Sequence, residues 1–193
     1  MSKSELVETF EALSAAFDQL AVRWYVFGAQ AAIFHGITRA TADIDVTVDA
    51  GDRPTTDVAD ALSAHGFVVR IADPTFLEQT RVLPVVHATG VPVDVVLAGP
   101  GLEELFFERV IYRRVGQAKV PIAAAEDIIV MKVLAGRPKD MDDVRGIVAA
   151  RRELNVAQVR ETLTVLESAL DQSDLLPAFE GILQASREGL PRR

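Results

Sequence analysis

Aspartates alternate in the segment "RATADIDVTVDA", residues 39–50, which otherwise has the composition of a buried strand. Successive side chains of a strand point to opposite faces, so Asp43 and Asp45 share one face and the apolar residues between and after them occupy the other. Two carboxylates held on one face repel each other, and a divalent cation neutralises both. The pair therefore predicts a Mg²⁺ site, with two solvated aspartates on an exposed strand as the alternative.

A third aspartate interrupts a second apolar strand, "VPVDVVLAG" at residues 91–99. Alternation places Val93, Val95 and Leu97 on one face and leaves Asp94 on the other. Aspartate is depleted inside strands because it gains little from packing there. We expect the three aspartates of the two strands to form one oxygen-rich pocket.

Gly28 lies between the strand-like run "RWYVF" and the alanine-rich "AQAAIF", which suits a short helix. At a turn from strand to helix, backbone N–H groups and the positive end of the helix can receive a phosphate group. An ordinary turn glycine is the alternative. Gly28 is thus a candidate phosphate contact upstream of the aspartate pair.

The elements that must position these residues follow from periodicity and capping signals. Leu6, Phe10, Leu13 and Phe17 recur at helical spacing, and Ser2 with Glu5 forms a capping-box pattern, so residues 3–21 are predicted to be helical. Similar patterns predict strands at 23–28, 43–49, 66–71 and on both sides of Thr89-Gly90, and helices at 29–36, 54–65 and 102–110. Pro84 and Pro92 favour edge or bulged strand positions. A basic stretch turns at Gly116, and the chain is predicted to be helical from about 123, with a break at 136–138.

Length and composition favour one soluble unit of 193 residues, 49% hydrophobic and 25% charged. No apolar run reaches the roughly 20 residues that cross a bilayer, and the N-terminus lacks the basic start and apolar stretch of a secretion signal, which predicts a cytoplasmic protein without a membrane partner. The absence of cysteine excludes disulfides and thiolate metal sites, so a metal must bind oxygen or imidazole.

The formal charge of −8, from 20 basic and 28 acidic side chains, argues against general attraction to nucleic acid. Basic residues at 113–119 and 137–152 still allow a local basic patch.

Two motifs together resemble a known superfamily. "VFGAQAAIFHGITRATADIDVTV", residues 26–48, resembles the signature of nucleotidyltransferases related to DNA polymerase β, and its spelling is most similar to a small bacterial branch that includes abortive-infection and toxin–antitoxin enzymes. "EDIIVMKVLAGRPKDMDDV", residues 126–144, is similar to the helical motif of that branch at Lys132, Arg137, Lys139, Asp140 and Asp143.

The resemblance implies an α/β (α+β) fold with a twisted mixed sheet flanked by helices. It also implies a nucleotidyltransferase core at residues 1–121 and a helical extension at 122–193, packed on the core as one compact unit.

The resemblance further implies site residues. Asp43 and Asp45 would hold Mg²⁺, with Mn²⁺ as a substitute, against a nucleoside triphosphate such as ATP, and Asp94 would complete a second metal site or accept the proton of the attacking hydroxyl. The amides of Gly28 and Ala29 would hold the triphosphate, although the family commonly has Gly or Ser where Ala29 stands.

Four charged residues have roles by the same resemblance. Lys132 and Arg39 would neutralise phosphates, with a solvated lysine and an Arg39–aspartate pair as the alternatives. Asp140 and Asp143 are candidates for catalysis, but acidic residues in the first turn of a helix are more simply explained by its dipole.

The predicted activity is transfer of a nucleoside monophosphate, or several nucleotides, to an acceptor hydroxyl. The acceptor stays open between tRNA, as for a toxin restrained by an antitoxin or other partner protein, and a small molecule or protein. The alternative is a nucleotide-binding module that keeps the fold without turnover.

Overall fold

A computed structural model of the chain describes residues 2–71 and 73–188. The chain divides into two compact units. The first consists of the residues up to Gln30 together with Ala40–Ala123, and the second of Ala31–Arg39 together with the residues from Ala124 onward.

The first unit contains a mixed sheet, which is seven-stranded over the described residues. Its strands are β1 (Arg23–Phe27), β2 (Ile44–Asp49), β3 (Phe67–Val69), β4 (Val82–His87), β5 (Pro92–Leu97), β6 (Ile111–Val115) and β7 (Ala118–Ile122). They lie in the order β3-β4-β5-β2-β1-β7-β6. The β2–β5 and β1–β7 pairs are parallel, and the other four neighbouring pairs are antiparallel. The predicted twisted mixed sheet with flanking helices is confirmed.

The helices of the described residues are α1 (Lys3–Leu20), α2 (Gly28–Phe34), α3 (Thr55–Ala64), α4 (Pro74–Thr80), α5 (Leu102–Glu108), α6 (Ala125–Ala135), α7 (Pro138–Ala150), α8 (Val156–Leu170) and α9 (Leu175–Glu188). The first unit holds α1, α3, α4, α5 and the start of α2. The second holds the rest of α2 and α6 to α9.

The first helix is built as its sequence predicts. The Ser2 side chain accepts from the Glu5 N–H while the Glu5 carboxylate accepts from the Ser2 N–H, which completes the capping box. Phe10 and Phe17 are fully buried, and the Phe17 ring lies 5.2 Å from that of Trp24 on β1. Burial of each such ring stabilises the fold by roughly 1.5–3 kcal/mol, so α1 is firmly docked in the first unit.

Three elements were missing from the prediction: α4 and the β6–β7 hairpin. The hairpin carries Arg113 and Arg114 on an exposed edge strand, where charges replace the apolar alternation that would reveal a strand. Helix α4 has no buried residue, so no apolar stripe marks it.

The positions of the strand prolines differ from the prediction. Both β4 and β5 are interior strands, not edges. Pro84 is tolerated because β3 pairs with β4 only at Val85–His87, so Pro84 lies beyond that ladder. Pro92 is the first residue of β5, where a missing N–H costs little.

The second unit is helical, as expected for the C-terminal part of the chain. Helix α6 is buried around most of its circumference, as the continuous apolar run 128–131 requires. The predicted break is present: Gly136 ends α6 with φ +64°, and α7 begins at Pro138. Within the described ranges 2–71 and 73–188, no helix combines the length and apolar character needed to cross a membrane.

Candidate active site

Asp45 and Asp94 lie directly beside each other in the sheet of the first unit. They are paired residues of the parallel strands β2 and β5, so their side chains leave the same face of the sheet. Their neighbours along the strands, Ile44, Val46, Val93 and Val95, are fully buried on the opposite face. Adjacent strands are about 4.8 Å apart, which is near enough for both carboxylates to contact one ligand.

Asp43 lies just before β2, because the strand begins at Ile44. The Thr41 hydroxyl donates to the Asp43 carboxylate at 2.6 Å, which fixes the side chain locally. The prediction that one continuous strand runs from Asp43 is therefore wrong by one residue. Arg39 and Thr41 do not extend the strand face, and Arg39 belongs to the second unit.

Gly28 brings the backbone at the start of α2 against Asp45. Its φ is +66°, a left-handed conformation that side chains disfavour, and a Cβ at this position would collide with the Asp45 carboxylate. Phe27, the preceding residue, is paired with Asp45 across β1 and β2. Glycine is thus required here for two reasons, its conformation and its missing side chain.

Arg70 neutralises Asp94. The Arg70 guanidinium donates to the Asp94 carboxylate at 2.6 Å, and both side chains are more than a third exposed. No local pattern predicts this contact, because Arg70 follows a short strand and matches no motif. Pairing of β3, β4 and β5 creates it.

Strand pairing sets two of the three predicted metal ligands, Asp45 and Asp94, side by side. Over residues 2–71 and 73–188, no three His, Cys, Asp or Glu side chains are arranged to hold a metal ion. The Asp45–Asp94 pair is the part of the expected pocket that strand pairing forms, and a pocket that also includes Asp43 stays a prediction. The pair still fits Mg²⁺ chemically, because Mg²⁺ is commonly bound by one or two carboxylates together with substrate phosphates and water.

The remaining predicted residues meet in the second unit. The Lys132 ammonium donates to Asp143 at 2.6 Å and to Asp140 at 3.2 Å, and Arg39 donates to Asp143 at 2.7 Å. Arg137 pairs with Asp140 from the start of α7. The motif residues of α6 and α7 thus form one connected ion network, and Arg39 adopts the alternative predicted for it, a pair with an aspartate.

Burial distinguishes this network from surface charge. Lys132 is 6% exposed, Asp140 2% and Asp143 4%, so the expectations of a solvated lysine and of aspartates serving only the helix dipole are wrong. Burial raises the pKa of Asp140, but hydrogen bonds and charge from Arg137 and Lys132 outweigh it and hold that pKa below its ordinary value.

The basic residues of the hairpin lie away from the aspartate pair within the first unit. Strand β7 runs parallel to β1 with Ile122 beside Val26, which places Lys119 level with Arg23. Arg114 is paired with Lys119 across the hairpin. Gly28 follows Arg23 by five positions of extended chain, or roughly 16 Å, so these cations are at the other end of β1.

Residues 4–174 match the family described as nucleotidyltransferase of unknown function (DUF6036). Among curated proteins, none matches the chain.

Solved structures with a similar fold include the antibiotic-resistance factor ANT(2'')-Ia, with a TM-score of 0.60 and 15% identity over 88% of this chain and 97% of that one. A second structure of ANT(2")-Ia, in complex with adenylyl-2"-tobramycin, has a TM-score of 0.58 and 15% identity over 86% of this chain and 98% of that one. An antigenic nucleotidyltransferase-like protein from Paracoccidioides brasiliensis gives 0.56, with 17% identity over 93% and 94%. The lincosamide antibiotic adenylyltransferase LnuA, bound to lincomycin, gives 0.52, with 16% identity over 75% and 96%.

Proposed function

Because the chain belongs to this nucleotidyltransferase family, we propose that it transfers a nucleoside monophosphate from a nucleoside triphosphate to a hydroxyl of a small-molecule acceptor. The observation that carries the proposal is the pairing of Asp45 with Asp94 on one sheet face, with the Gly28 backbone against Asp45.

In the proposed reaction, the acceptor oxygen bonds to the α-phosphorus as the bond to pyrophosphate breaks. Asp94 accepts the hydroxyl proton, and the amides of Gly28 and Ala29 bind phosphate oxygens. Asp45 and Asp94 would hold Mg²⁺, and the metal contact of Asp43 stays a prediction. When bound, the ion would neutralise charge on the transferring phosphoryl group. The nucleotide contacts of Arg39 and Lys132 stay predictions.

Two observations favour a small acceptor over tRNA. The chain carries a formal charge of −8, and the cations of the β6–β7 hairpin lie at the opposite end of β1 from Gly28. The names of two proteins of similar fold also connect them with antibiotics: one is in complex with adenylyl-2"-tobramycin and the other with lincomycin. The toxin-like activity on tRNA and the antitoxin partner are the competing prediction.

The test is transfer of label from α-labelled nucleoside triphosphates in the presence of Mg²⁺, with separate pools of small metabolites and aminoglycoside-like polyols, total tRNA, and protein. Labelled small molecules are expected with the wild-type chain, and Asp45→Asn should lower the rate by at least about a hundredfold. Asp60→Asn, on the exposed side of α3, is the matched control and should leave the rate unchanged.

Label in the tRNA pool would replace the small-molecule acceptor with RNA. Saturable nucleotide binding without transfer to any pool would instead support the inactive binding module. The ion pair between Arg70 and Asp94 and the alanine at position 29 are the two features that favour that outcome.

A further inference from the structure

Arg70 lies at the end of a row of residues that crosses the sheet. Strand β3 ends at Val69, and the Arg70 N–H donates to the Pro84 carbonyl at 2.8 Å. Pro84 is paired with Asp94, and Asp94 with Asp45. The backbone hydrogen bond thus fixes where Arg70 starts, two strand spacings from Asp94, or roughly 10 Å.

Pro84 offers the arginine no competing side-chain partner in this row. It occupies the row between Arg70 and Asp94, is buried, and carries a compact ring that offers no charge or hydrogen-bond donor. The Arg70 side chain is long enough to pass over it and donate to Asp94 at 2.6 Å. The contact joins residues of β5 and of the segment after β3, so it depends on the order of the strands.

The arginine reduces an electrostatic repulsion between two carboxylates of the sheet. Two carboxylates on paired residues of neighbouring strands repel each other, and one positive charge close to either relieves that repulsion. The guanidinium lies against one oxygen of the Asp94 carboxylate and thereby places a positive charge beside the pair without any bound ion.

The geometry points to Arg70 as a positioning residue that stands in for the divalent cation at Asp94 and must be displaced from it when the ion binds. This inference rests on the proposed function, because it takes Asp45 and Asp94 as the carboxylates that hold Mg²⁺. It adds that the affinity of the site for metal is set by an arginine outside the carboxylate set. Arg70 keeps the ligand-free site organised at the expense of metal affinity.

The test is binding of Mn²⁺ alone to the full chain. The electron paramagnetic resonance signal of the free ion measures how much Mn²⁺ is bound. Arg70→Met should bind Mn²⁺ about fivefold more tightly than the wild type, the factor that a half-exposed ion pair is worth. Arg70→Lys keeps the charge and should bind nearly as the wild type does. Arg81→Met removes an arginine of similar exposure, paired with Glu103, and should change nothing.

A double-mutant cycle isolates the contact itself. In an Asp94→Asn background, Arg70→Met should no longer raise the affinity, because the arginine has no carboxylate to occupy. A gain that persists in that background would overturn the inference, since it would reflect only the general field of the arginine.

Failure of the inference and failure of the proposed function are distinguishable. If the wild type binds Mn²⁺ and Asp45→Asn weakens binding, while Arg70→Met binds equally or more weakly than the wild type, the metal site stands and the role of Arg70 is wrong. If neither the wild type nor Arg70→Met binds Mn²⁺ saturably, both the metal site and the role of Arg70 are wrong.

Discussion

The backbone conformation of Gly28 and the position of the Asp45 carboxylate depend on each other. The glycine has φ +66°, and the carboxylate occupies the space that a Cβ would need. Close approach of the backbone to a neighbouring carboxylate is a physical reason for glycine that differs from the need for a turn.

We expect Gly28→Ala to lower the free energy of unfolding by about 2–4 kcal/mol, from left-handed strain and from overpacking. Gly51→Ala is the matched control, since Gly51 has φ +56° with open space around it, and it should cost only about 1 kcal/mol. Urea unfolding measures both. Equal losses would show that the contact with Asp45 has no energetic weight.

The buried lysine of the second unit is expected to matter for stability. Lys132→Met leaves Asp140 and Asp143 buried with only their arginine partners, and should cost about 3 kcal/mol. Arg145→Met breaks an exposed pair with Asp142 and should cost less than about 1 kcal/mol. Thermal and urea unfolding compare them, and a loss no larger for Lys132 than for Arg145 would contradict the importance of the network.

The same network predicts a pH dependence. The pKa of Asp140 is lowered in the folded chain, so this carboxylate contributes stability above its unfolded pKa of about 3.9, and the contribution disappears as the pH falls through the folded value. Unfolding free energies measured from pH 6 to pH 2 should therefore decline more steeply for the wild type than for Asp140→Asn. Parallel curves for the two proteins would contradict the lowered pKa.

Among the elements, the β6–β7 hairpin is fixed by its turn and by α1. The Gln117 N–H donates to the Glu11 carboxylate at 2.7 Å, and Gly116, with φ +59°, leaves room for that carboxylate. An edge hairpin rich in charge thus takes part of its stability from a helix that precedes it by almost a hundred residues.

Glu11→Ala should lower the free energy of unfolding by about 1 kcal/mol, because the Gln117 N–H loses its acceptor. Hydrogen exchange at the hairpin amides should become faster by the factor that corresponds to this loss of free energy. Glu8→Ala is the control on the same helix; Glu8 accepts only from the Ser4 hydroxyl in the described chain, and the hairpin amides should not respond. A global change in exchange without a hairpin effect would contradict the assignment.

For the molecule as a whole, the distribution of charge bears on the choice of acceptor in the proposed function. A formal charge of −8 repels polyanions in general, and the hairpin cations lie away from Gly28 within their unit. An RNA acceptor would have to bind against the overall field.

Reversing two hairpin charges tests this point. If the acceptor is a small molecule, Arg113→Glu with Arg114→Glu should leave the transfer rate and its salt dependence unchanged. If the acceptor is tRNA bound through the hairpin, the rate should fall by at least about tenfold and the salt dependence should weaken. The stability of the variant should stay within about 0.5 kcal/mol per substitution, since both side chains are exposed.

Local signals made much of the fold predictable. The capping box and apolar spacing marked α1, alternation marked β2 and β5, and glycine with proline marked the break between α6 and α7. The hairpin and α4 were not predicted because β6 consists mostly of exposed residues and α4 buries none, so neither element has an apolar pattern that marks it. The superfamily was also predictable from the two motifs, whereas the narrower toxin-like branch stays a prediction.

The sequence by itself determined which residues are candidates for the chemistry, because residue type and short-range spacing are local properties: the aspartates, Gly28, and the charged motif of α6 and α7. Only the tertiary structure decided which of these residues contact one another. It set Asp94 beside Asp45, brought Arg70 over Pro84 to Asp94, and grouped Ala31–Arg39 with the C-terminal helices. Strand order and register are fixed by packing of the whole sheet and not by any one segment, so contacts that depend on them could not be read from local patterns.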